Sequence, residues 1–539
     1  MKLLPTADDA ARWLLSRGCT ELVSHHAQVH SGVGFLAWPG QRFDPREHVP
    51  SVIQQGASAC LIEAEAVAPI VSSWGLPALE ADLPLTDLIA TMPQLKAQAG
   101  HVASAFYGHP SRNIRVIAVT GTNGKTSTAW WLAQALGSTG LPCGLVGTLG
   151  VVEPVSPGNT ALSEVPGSPL TTPDALALQA LWHRWAEAAV PYAAMEASSI
   201  GLAEHRLAGT QVHTAIFTNL TRDHLDYHGT MHAYGQAKRL LFVGEGLRAA
   251  VINVNDEFGR ALALELASSP GRQIDLWTVA VQSHASAALT GASHDGVAAP
   301  PARLVAKSVT LQGSTTRFEL CEGDQVVPLE VALVGDFNIH NLLGVAAALR
   351  AQGLSLNDVA QALGQLQPVP GRLQRVPGPS TAPLAFVDYA HTPDALAKVL
   401  SVLRALSAQR GGRLWCIFGC GGDRDRGKRA LMGEVAARLA QVVMVTSDNP
   451  RSEDPQRIVQ DIVDGIPSRG NETADAQVQV EVDRAVAIAQ AIARADAADV
   501  VLIAGKGHEA SQEIQGHKLP FSDAQQAEQA LARRPEASA

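Results

Sequence analysis

Short hydrophobic runs recur along the chain, each followed by a polar or glycine-containing turn and then by helical spacing. Continuous apolar runs are typical of parallel strands buried on both faces, and their alternation with helices indicates doubly wound sheets. The runs that predict strands are Gly34–Ala37, Ala59–Glu63, Val116–Thr120, Ala193–Glu196, Ala215–Asn219, Ala250–Asn253, Ala385–Tyr389, Leu414–Phe418, Val442–Thr446 and Val500–Ala504. The predicted helices include Asp8–Arg17, Ser127–Leu136, His232–Phe242 and Gly335–Leu349. The fold class is therefore predicted to be α/β, with mainly parallel sheets.

Two turn-rich segments divide the chain into three predicted domains, as its 539 residues allow. They are His109-Pro110-Ser111 and Pro370-Gly371-Arg372. We predict a small N-terminal α/β domain over 1–109, a central phosphate-loop domain over 110–372, and a C-terminal, Rossmann-like doubly wound domain over 373–539. Short alternating runs within Leu304–Leu333 predict antiparallel strands.

Net charge, cysteine spacing and the length of the apolar runs disfavour several classes of protein. The net charge is −10, with 41 basic and 51 acidic residues, so no nucleic-acid partner is expected. The six cysteines form no CxxC pair, which disfavours a zinc knuckle or a disulfide framework and fits the cytoplasm. No apolar run reaches the ~18 residues typical of a membrane-spanning helix, so no membrane insertion is expected.

The segment Arg115–Thr126 carries the strongest chemical signal. A strand, a glycine-containing turn, Lys-Thr and a helix form the arrangement that cradles nucleotide phosphates. Gly121 and Gly124 allow backbone N–H groups to approach phosphate oxygens. Lys125 would reach the β- and γ-phosphates, and Thr126 would offer its hydroxyl to Mg²⁺. The chain has Val119 where the usual pattern has glycine.

Glu196 ends a predicted strand in the same domain as the phosphate loop. A carboxylate there can reach a nucleotide-bound Mg²⁺, which prefers hard oxygen ligands. The alternative is a glutamate that merely caps the following helix.

His224, His228 and His232 are spaced four residues apart, a spacing that on one helix face would imitate a zinc site. Gly229-Thr230 interrupts such a helix, so we favour a polar segment that leaves the strand end beside the phosphates. Lys238 lies in the helix that follows and, by its sequence alone, could be an ordinary solvated cation.

Three polar segments follow strands of the last predicted domain: Phe418–Arg424, Ser447–Arg451 and Ala504–Glu509. Because the carboxyl ends of parallel strands share one edge, we expect these segments to meet. They contribute Arg, Asp, Asn and Glu, a mixture of charges that suits a zwitterionic ligand. The first segment also has an alternative as a dinucleotide turn, but it lacks the third glycine at Arg424.

Together these motifs resemble the Mur ligase family, the ATP-dependent amino-acid ligases of peptidoglycan precursor synthesis. The matching segments are Thr120–Thr126, Thr171–Pro173, Met195–Ser199, Thr218–Gly229, Gly335–Asn341, Pro370–Arg372, Val387–Leu396, Phe418–Arg429, Asp448–Arg451 and Gly505–Glu509. They follow one another from the first linker to near the end of the chain, so the resemblance covers both larger domains.

The resemblance implies a function. It implies ligation of meso-2,6-diaminopimelate to the D-glutamate γ-carboxylate of UDP-N-acetylmuramoyl-L-alanyl-D-glutamate through an acyl phosphate, with release of ADP and phosphate. Asp448–Arg451 is the pattern that goes with diaminopimelate rather than L-lysine. The resemblance also implies ATP as co-substrate, Mg²⁺ as cofactor, a cytoplasmic role in cell-wall biogenesis, cell shape and division, and we expect a monomer.

The resemblance further assigns roles to residues. The implied ATP contacts are Gly121, Thr122, Asn123, Gly124, Lys125, Thr126, Asn341, Arg372 and His391. The implied Mg²⁺ ligands are Thr126, Glu196, His224 and a carbamylated Lys238, and the catalytic set is Lys125, Glu196, His224 and Lys238. The implied nucleotide-peptide contacts are Ser31, Thr171, Thr172, Ser198, Glu204 and Arg206. The implied diaminopimelate contacts are Arg424, Asp448, Asn449, Pro450, Arg451, Gly505 and Glu509.

The chain departs from the family pattern at three places. His25-His26-Ala27 stands where Asp-Ser-Arg is usual near the uridine. Ile200 replaces a histidine, and Glu204 stands where glutamine is common.

Three alternative functions remain open at the level of the sequence. A folylpolyglutamate-type ligase shares the phosphate loop, but Asp448–Arg451 and Gly505–Glu509 argue against it. A non-catalytic nucleotide switch would have no need for Glu196, His224 and Lys238 together. A zinc-dependent hydrolase would use the spaced histidines. ATP turnover that requires both a UDP-sugar peptide and an amino acid separates these functions.

Overall fold

The computed structural model describes residues 1–40, 43–74, 87–154, 164–165, 170–244, 246–269, 273–282, 300–312, 315–467 and 476–534. The chain forms two compact units. The first comprises Met1–Val305, Glu322–Gln325 and His340–Ala362, and the second comprises Ala306–Cys321, Val326–Ile339 and Leu363–Ala539. The three-domain division predicted from the sequence stays a prediction.

The helices are α1 (Ala7–Ser16), α2 (Val49–Gln54), α3 (Val67–Ser73), α4 (Leu95–Phe106), α5 (Lys125–Ser138), α6 (Ala175–Glu187), α7 (Ser199–Ala203), α8 (Leu225–His228), α9 (Met231–Arg239), α10 (Glu257–Ser268), α11 (Asp336–Ala351), α12 (Leu356–Gly364), α13 (Pro393–Gln409), α14 (Gly427–Leu439), α15 (Pro455–Val463), α16 (Arg484–Arg494) and α17 (Asp523–Ala532). Within the described ranges, none of them is long and apolar enough to cross a membrane.

The strands are β1 (Lys2–Leu3), β2 (Glu21–Val23), β3 (Val33–Ala37), β4 (Ala59–Glu63), β5 (Ile89–Met92), β6 (Arg115–Thr120), β7 (Cys143–Gly147), β8 (Gly150–Val152), β9 (Glu164–Val165), β10 (Tyr192–Glu196), β11 (Val212–Phe217), β12 (Ala249–Asn253), β13 (Asp275–Val281), β14 (Leu304–Gln312), β15 (Thr315–Glu322), β16 (Gln325–Val331), β17 (Gln374–Val376), β18 (Leu384–Asp388), β19 (Leu414–Phe418), β20 (Val442–Val445), β21 (Gln477–Val480), β22 (Val500–Ala504), β23 (Ser511–Ile514) and β24 (His517–Pro520).

The amino-terminal sheet belongs to the first unit and has the strand order β1-β5-β4-β3-β2. All of its neighbouring strands pair in parallel. Both β3 and β4 are buried along their whole length, as their continuous apolar runs predict. Helix α1 packs its apolar side, which includes Trp13 and Leu14, into the core on one face of this sheet.

The phosphate-loop sheet also belongs to the first unit, where its strand order is β13-β12-β11-β6-β10-β7-β8-β9. The strands from β13 to β7 pair in parallel, and β8 and β9 continue the sheet in antiparallel fashion. Strand β6 lies between β11 and β10, and every residue in it except Arg115 is buried. The sequence patterns for β6, β10 and β12 are confirmed, whereas β11 ends at Phe217 rather than at the predicted Asn219.

The carboxyl-terminal sheet lies in the second unit, with the strand order β17-β18-β22-β19-β20-β21. Five strands pair in parallel, and β17 pairs antiparallel to β18 at one edge. Helices α13, α14 and α15 contribute to one core, and α16 and α17 contribute to another. These two cores confirm the predicted doubly wound arrangement.

Strands β14, β15 and β16 lie side by side in chain order. Their connections are too short for a crossover, so neighbouring strands run antiparallel. This arrangement agrees with the alternating pattern of Leu304–Leu333.

A buried ion pair supports the ligand edge of the carboxyl-terminal sheet. Arg484 and Asp523 are fully buried and joined by two hydrogen bonds of 2.7 Å. Arg484 also donates to the carbonyl oxygens of Ser447 and Ala504, which follow β20 and end β22. The pair therefore ties α16 and α17 to the turns at two strand ends, and breaking such a pair would leave an uncompensated buried charge.

Candidate functional site

The phosphate loop leaves the sheet at Gly121, two residues after position 119, where the usual pattern has its first glycine. Val119 is fully buried inside β6, and its carbonyl oxygen accepts a hydrogen bond from the Ala197 amide. The turn begins at Gly121, whose φ is +150°. A Cβ atom built on Gly121 would lie 1.9 Å from the Thr218 hydroxyl oxygen, so only glycine fits this position.

The end of β11 holds the phosphate loop in shape. The Thr122 amide donates to the Asn219 carbonyl oxygen at 2.8 Å, and the Asn123 amide donates to the Asn219 side-chain oxygen at 3.0 Å. The Thr218 hydroxyl donates to the Asn123 carbonyl oxygen at 2.7 Å. The backbone of the loop is thus held by the side chains of Thr218 and Asn219 and by the Asn219 carbonyl oxygen.

Asn341 lies against this loop, as the family resemblance implied. Its side-chain oxygen is 2.2 Å from the position that a Cβ atom on Gly124 would occupy. Helix α11 carries Asn341 and is buried along much of its length, which fixes the side chain at the loop. The structure therefore brings Asn341 together with the predicted nucleotide-binding residues of the first unit.

Glu196 ends β10, the strand beside β6, and is buried at 1% exposure. One carboxylate oxygen accepts from the Thr148 amide at 2.7 Å. The other accepts from the hydroxyls of Thr126 and Thr148 at 3.0 and 3.1 Å.

The oxygen atoms of Glu196 and Thr126 are suitable ligands for a magnesium ion. A buried carboxylate beside a threonine hydroxyl supplies the hard oxygen ligands that Mg²⁺ prefers. Across the described ranges, no group of three or more His, Cys, Asp or Glu side chains is placed to hold a metal ion. Mg²⁺ commonly uses one or two protein carboxylates and takes its other ligands from substrate phosphates and water, so the smaller set is sufficient.

Two lysines converge on one backbone oxygen of the phosphate loop. The Nζ atom of Lys125 lies 2.9 Å from the Gly121 carbonyl oxygen, and the Nζ atom of Lys238 lies 2.7 Å from the same oxygen. Lys238 is 1% exposed, and its Nζ atom also lies over the ring of Tyr234. Burial lowers the pKa of Lys238 well below its ordinary value, and the charge of Lys125 lowers it further.

His224 directly precedes a separate short helix and does not lie in one long helix with His228 and His232. It has a φ of +51° and precedes α8, which ends at His228. Gly229 follows with a φ of +74°, so His224, His228 and His232 do not share one helix face. His228 instead lies 3.0 Å from the Ser199 hydroxyl.

The environment of His224 favours its neutral form. Partial desolvation lowers its pKa below the ordinary value, although 45% of its side chain is exposed. The charges of Lys125 and Lys238 act in the same direction, while Asp223 opposes them. A neutral imidazole nitrogen is the form that can bind a metal ion.

Four of the predicted substrate residues form a connected group beside Glu196. The Thr171 hydroxyl lies 3.2 Å from that of Thr148. The Thr172 hydroxyl donates to the Glu196 carbonyl oxygen and lies 3.0 Å from the Ser198 hydroxyl. Arg206 donates to the Thr172 carbonyl oxygen at 3.0 Å.

Glu204 has partners of its own. It forms an ion pair with Lys96, and it accepts a hydrogen bond from the Tyr227 hydroxyl. Its pKa is lowered, because these two partners together with nearby Arg206 outweigh the effect of burial.

Ser31 lies apart from this group. It precedes β3, at the amino ends of the parallel strands. Its Cα atom lies 3.5 Å from the position that a Cβ atom on Gly56 would occupy. His25 and His26 follow the carboxyl end of β2, where His26 stacks on His25 and on His48. The binding role of Ser31 stays a prediction.

Arg372 and His391, both predicted to contact ATP, are grouped around Tyr389 in the second unit. The Arg372 guanidinium lies 4.3 Å from the ring centroid of Tyr389, and the His391 ring meets that ring edge-on at 4.6 Å. Buried Asp388 accepts from the amides of Leu373 and Ala390, which fixes the chain on both sides of the group.

The three polar segments of the last predicted domain meet, as predicted, at the carboxyl ends of β22, β19 and β20. Gly505 has a φ of +114°, and a Cβ atom there would lie 2.6 Å from an Asp448 carboxylate oxygen. The Asn449 amide nitrogen donates to Glu509 at 2.7 Å. We call this set, Gly421 to Arg424, Asp448 to Arg451 and Gly505 to Glu509, the polar rim.

Arg451 and Arg424 flank one turn of the polar rim. Arg451 has a φ of +52°, an uncommon conformation for a non-glycine residue. Its guanidinium donates to the Gly422 carbonyl oxygen at 2.7 Å and lies 3.6 Å from a Glu513 oxygen. A Cβ atom on Gly421 would lie 2.9 Å from Arg451 and 3.7 Å from Arg424.

Sequence reasoning missed several residues that shape these sites. Thr148 follows β7, whose carboxyl end lies at the same sheet edge as Glu196, so the rule about strand ends could have found it. Asn219 lies within the matching segment Thr218–Gly229, but the sequence predicted no role for it. The sequence likewise predicted no role for Lys506, which is fully buried beside Asn449 and Glu509.

Comparison with known proteins gives consistent matches. The model of the Mur ligase middle domain matches residues 119–349, and that of the Mur ligase, glutamate ligase domain matches residues 371–507. Two curated relatives bear the name UDP-N-acetylmuramoyl-L-alanyl-D-glutamate–2,6-diaminopimelate ligase. The one from Acidovorax sp. (strain JS42) is 48% identical over 538 residues and covers 98% of each chain. The one from Janthinobacterium sp. (strain Marseille) is 43% identical over 95% of this chain and 94% of its own.

A solved structure with the same name is also similar. It is 32% identical to this chain, has a TM-score of 0.63, and covers 95% of both chains.

The contacts of Thr148 generate a prediction. Replacing Thr148 with Val removes one hydroxyl donor to the Glu196 carboxylate, which should weaken the binding of Mg²⁺ with ATP by about 1 kcal/mol, or roughly fivefold. Titration calorimetry with ATP at fixed Mg²⁺ measures this change. Thr148→Ser keeps the hydroxyl and serves as the control. An unchanged affinity in Thr148→Val would contradict the role of this hydroxyl.

Proposed function

The chain belongs to the Mur ligase family of ATP-dependent, amide-bond-forming ligases, and we propose that it adds meso-2,6-diaminopimelate to UDP-N-acetylmuramoyl-L-alanyl-D-glutamate. The bond would form at the D-glutamate γ-carboxylate. The observation that carries this proposal is the polar rim, which gathers arginine, asparagine and carboxylate side chains at one sheet edge. The names of the 48% and 43% identical relatives support the same substrates.

The chemistry requires activation of the carboxylate. A carboxylate is a poor electrophile, so transfer of the γ-phosphoryl group of ATP to it would form an acyl phosphate. The amine of diaminopimelate then attacks the acyl carbon, a C–N bond forms, and phosphate leaves with the C–O bond electrons. Lys125 and the N–H groups of the phosphate loop would neutralise charge on the phosphoryl group as it moves.

We assign the magnesium site to Thr126, Glu196, His224 and a carbamylated Lys238. The ion would neutralise phosphate charge during transfer. The first two residues supply adjacent oxygen atoms, and His224 lies in the electrostatic environment of Lys125 and Lys238. A carbamate on Lys238 would replace one of two converging amines with an anionic oxygen ligand.

The nucleotide-peptide substrate would contact Thr171, Thr172, Ser198, Glu204, Arg206 and Ser31. The support comes from the hydrogen-bonded group that joins the first three to Glu196 and Arg206. This group lies beside the phosphate loop, where the γ-carboxylate must meet the transferring phosphoryl group.

Diaminopimelate would bind at the polar rim. A guanidinium meets a carboxylate with parallel hydrogen bonds, which suits Arg451 and Arg424 for carboxylate recognition. Glu509 and Asn449 would face an ammonium group. Asp448, Pro450 and Gly505 would shape the turns that present these side chains.

We also propose that the chain acts as a monomer in the cytoplasm. The six cysteines are all free thiols and all buried, as suits a reducing compartment that supplies ATP.

The alternative functions are less well supported. A nucleotide switch does not account for the polar rim, and a zinc hydrolase does not account for the separation of His224, His228 and His232 by a helix break. A folylpolyglutamate-type ligase is disfavoured because the named relatives at 48% and 43% identity carry the diaminopimelate ligase name along nearly the whole chain.

Lys238 provides a test of the metal site. Lys238→Ala should abolish ATP turnover, because it removes the amine that adds to CO₂ to form the carbamate and release a proton. Short-chain carboxylates should restore part of the activity by supplying the missing oxygen ligand. Arg239→Ala, which removes an exposed side chain from the same helix, is the control. Near-normal turnover of Lys238→Ala would refute this assignment.

Arg451 provides a test of amino-acid selectivity. Arg451→Ala should raise the KM for diaminopimelate far more than the KM for ATP, by roughly 2–4 kcal/mol for a charge-assisted pair. Steady-state kinetics with each substrate varied measures the difference. Arg426→Ala removes an exposed arginine from the next turn and should change neither constant.

Two results would contradict the assignment. One is a wild-type enzyme that uses L-lysine as fast as diaminopimelate. The other is an Arg451→Ala variant in which only the KM for ATP changes.

A further inference from the structure

Lys506 is a buried cation at the centre of the polar rim. It follows Gly505 directly after β22, and its side chain has 0% exposure. The Nζ atom donates to the Glu509 carboxylate at 2.8 Å and to the Asn449 side-chain oxygen at 3.0 Å. It also lies 3.8 Å from an Asp448 oxygen. A buried ammonium needs such partners, since isolated charge is unfavourable in a protein interior.

These contacts orient the Asn449 amide. Its oxygen accepts from Lys506 and from the Glu513 amide, at 3.0 and 2.9 Å. Its nitrogen donates to Glu509 at 2.7 Å. Rotating the amide by half a turn would place its N–H₂ group against two donors, so Lys506 helps to select one orientation.

Lys506 is too buried to contact a bound amino-acid ligand, whereas its partner Glu509 is accessible to one. The Glu509 side chain is 33% exposed, while Lys506 is enclosed. Any influence of Lys506 on an amino acid in the rim therefore passes through Asn449 and Glu509.

We propose that Lys506 is a positioning residue for amino-acid recognition, which fixes the Asn449 amide and holds Glu509 as an oriented carboxylate. The proposal rests on the proposed function, because it takes the polar rim as the diaminopimelate site. The ligand group concerned is an ammonium, which the Glu509 carboxylate would recognise by charge and hydrogen bonding.

The charges around Glu509 agree with this role. Burial would raise its pKa, but the charge of Lys506 and hydrogen bonds from Lys506 and Asn449 outweigh burial and lower it. His508 acts in the same direction. Asp448 also faces Lys506, and burial raises the pKa of that carboxyl. Arg484 forms an ion pair with Asp523 and also interacts electrostatically with Asp448 and Glu509, whereas Lys506 is hydrogen-bonded to Glu509 directly.

The pH dependence has a definite sign. A carboxylate with a lowered pKa stays charged as the pH falls, until the pH reaches that lowered value. Removing Lys506 raises the pKa of Glu509, so the charged form is lost at a higher pH. The acid limb of kcat/KM for diaminopimelate should move to higher pH in a variant without this lysine.

The test uses full-length protein and measures ADP release with each substrate varied. Lys506→Met should raise the KM for diaminopimelate about 10- to 100-fold, as expected for losing a hydrogen bond to a charged group, with little change in the KM for ATP. Lys506→Arg should recover part of the loss, because it retains the charge. Lys398→Met, which removes an exposed lysine paired with Asp394, is the matched control.

Coupling to Glu509 separates positioning from a general structural role. In a Glu509→Gln background, Lys506→Met should cause a much smaller further rise in KM, since the partner it acts through is already neutral. Fully additive effects, or an acid limb that does not move, would overturn the proposal. If Lys506→Met does not fold, the Lys506→Arg variant provides the test. A KM for diaminopimelate in Lys506→Arg equal to that of the wild type would overturn the proposed role of Lys506.

The result also distinguishes the two proposals. Wild-type protein that releases no ADP in response to diaminopimelate would refute the proposed function and this role with it. Wild-type turnover combined with an unaffected Lys506→Met variant would refute only the role of Lys506.

Discussion

The parallel register of β6 and β10 is the constraint on which the nucleotide site depends. It pairs Val119 with Glu196, so the phosphate loop and the carboxylate leave neighbouring strands at the same level. Thr126, in the first turn of the following helix, then meets Glu196 at 3.0 Å. The same register explains why valine is accepted at position 119, because that residue is still part of the buried strand and the tight turn starts at Gly121.

The second unit applies the same geometry to a different ligand. Three turns leave adjacent strands at one edge, and Gly505 allows the closest approach between two of them. Behind the turns, the buried pair of Arg484 and Asp523 ties helices to the strand ends. Lys506 adds a second buried cation whose partners are the rim residues themselves. The buried charged side chains of Arg484, Asp523 and Lys506 thus hold the more exposed residues of the polar rim in place.

Much of the fold could be predicted from the sequence because its central strands are buried on both faces. The strands Ala59–Glu63, Leu414–Phe418 and Val500–Ala504 begin and end where the apolar runs do. The predicted end of β11 was wrong. The Thr218 amide still donates to the last residue of β6, Thr120, but the Thr218 hydroxyl and the Asn219 side chain bond to the phosphate loop, and the strand ends at Phe217.

Site residues could be predicted from the sequence where a motif directly follows a strand. Residues that reach the site through tertiary contacts were harder to predict. Glu196 follows from the strand-end rule, but its partner Thr148 comes directly after β7, a strand that the sequence pattern did not predict. Asn341 comes from a distant helix, and only the family resemblance indicated it. The role of Lys506 depends on three side chains from two segments, so no local pattern contains it.

The most direct test of the central claim follows oxygen through the reaction. UDP-N-acetylmuramoyl-L-alanyl-D-glutamate labelled with ¹⁸O in the γ-carboxylate is incubated with the protein, ATP, Mg²⁺ and meso-2,6-diaminopimelate, and the released phosphate is analysed by mass spectrometry. Activation as an acyl phosphate predicts that each phosphate carries one oxygen from the carboxylate and that release depends on diaminopimelate. Phosphate without label, or release that does not need the amino acid, would contradict the account.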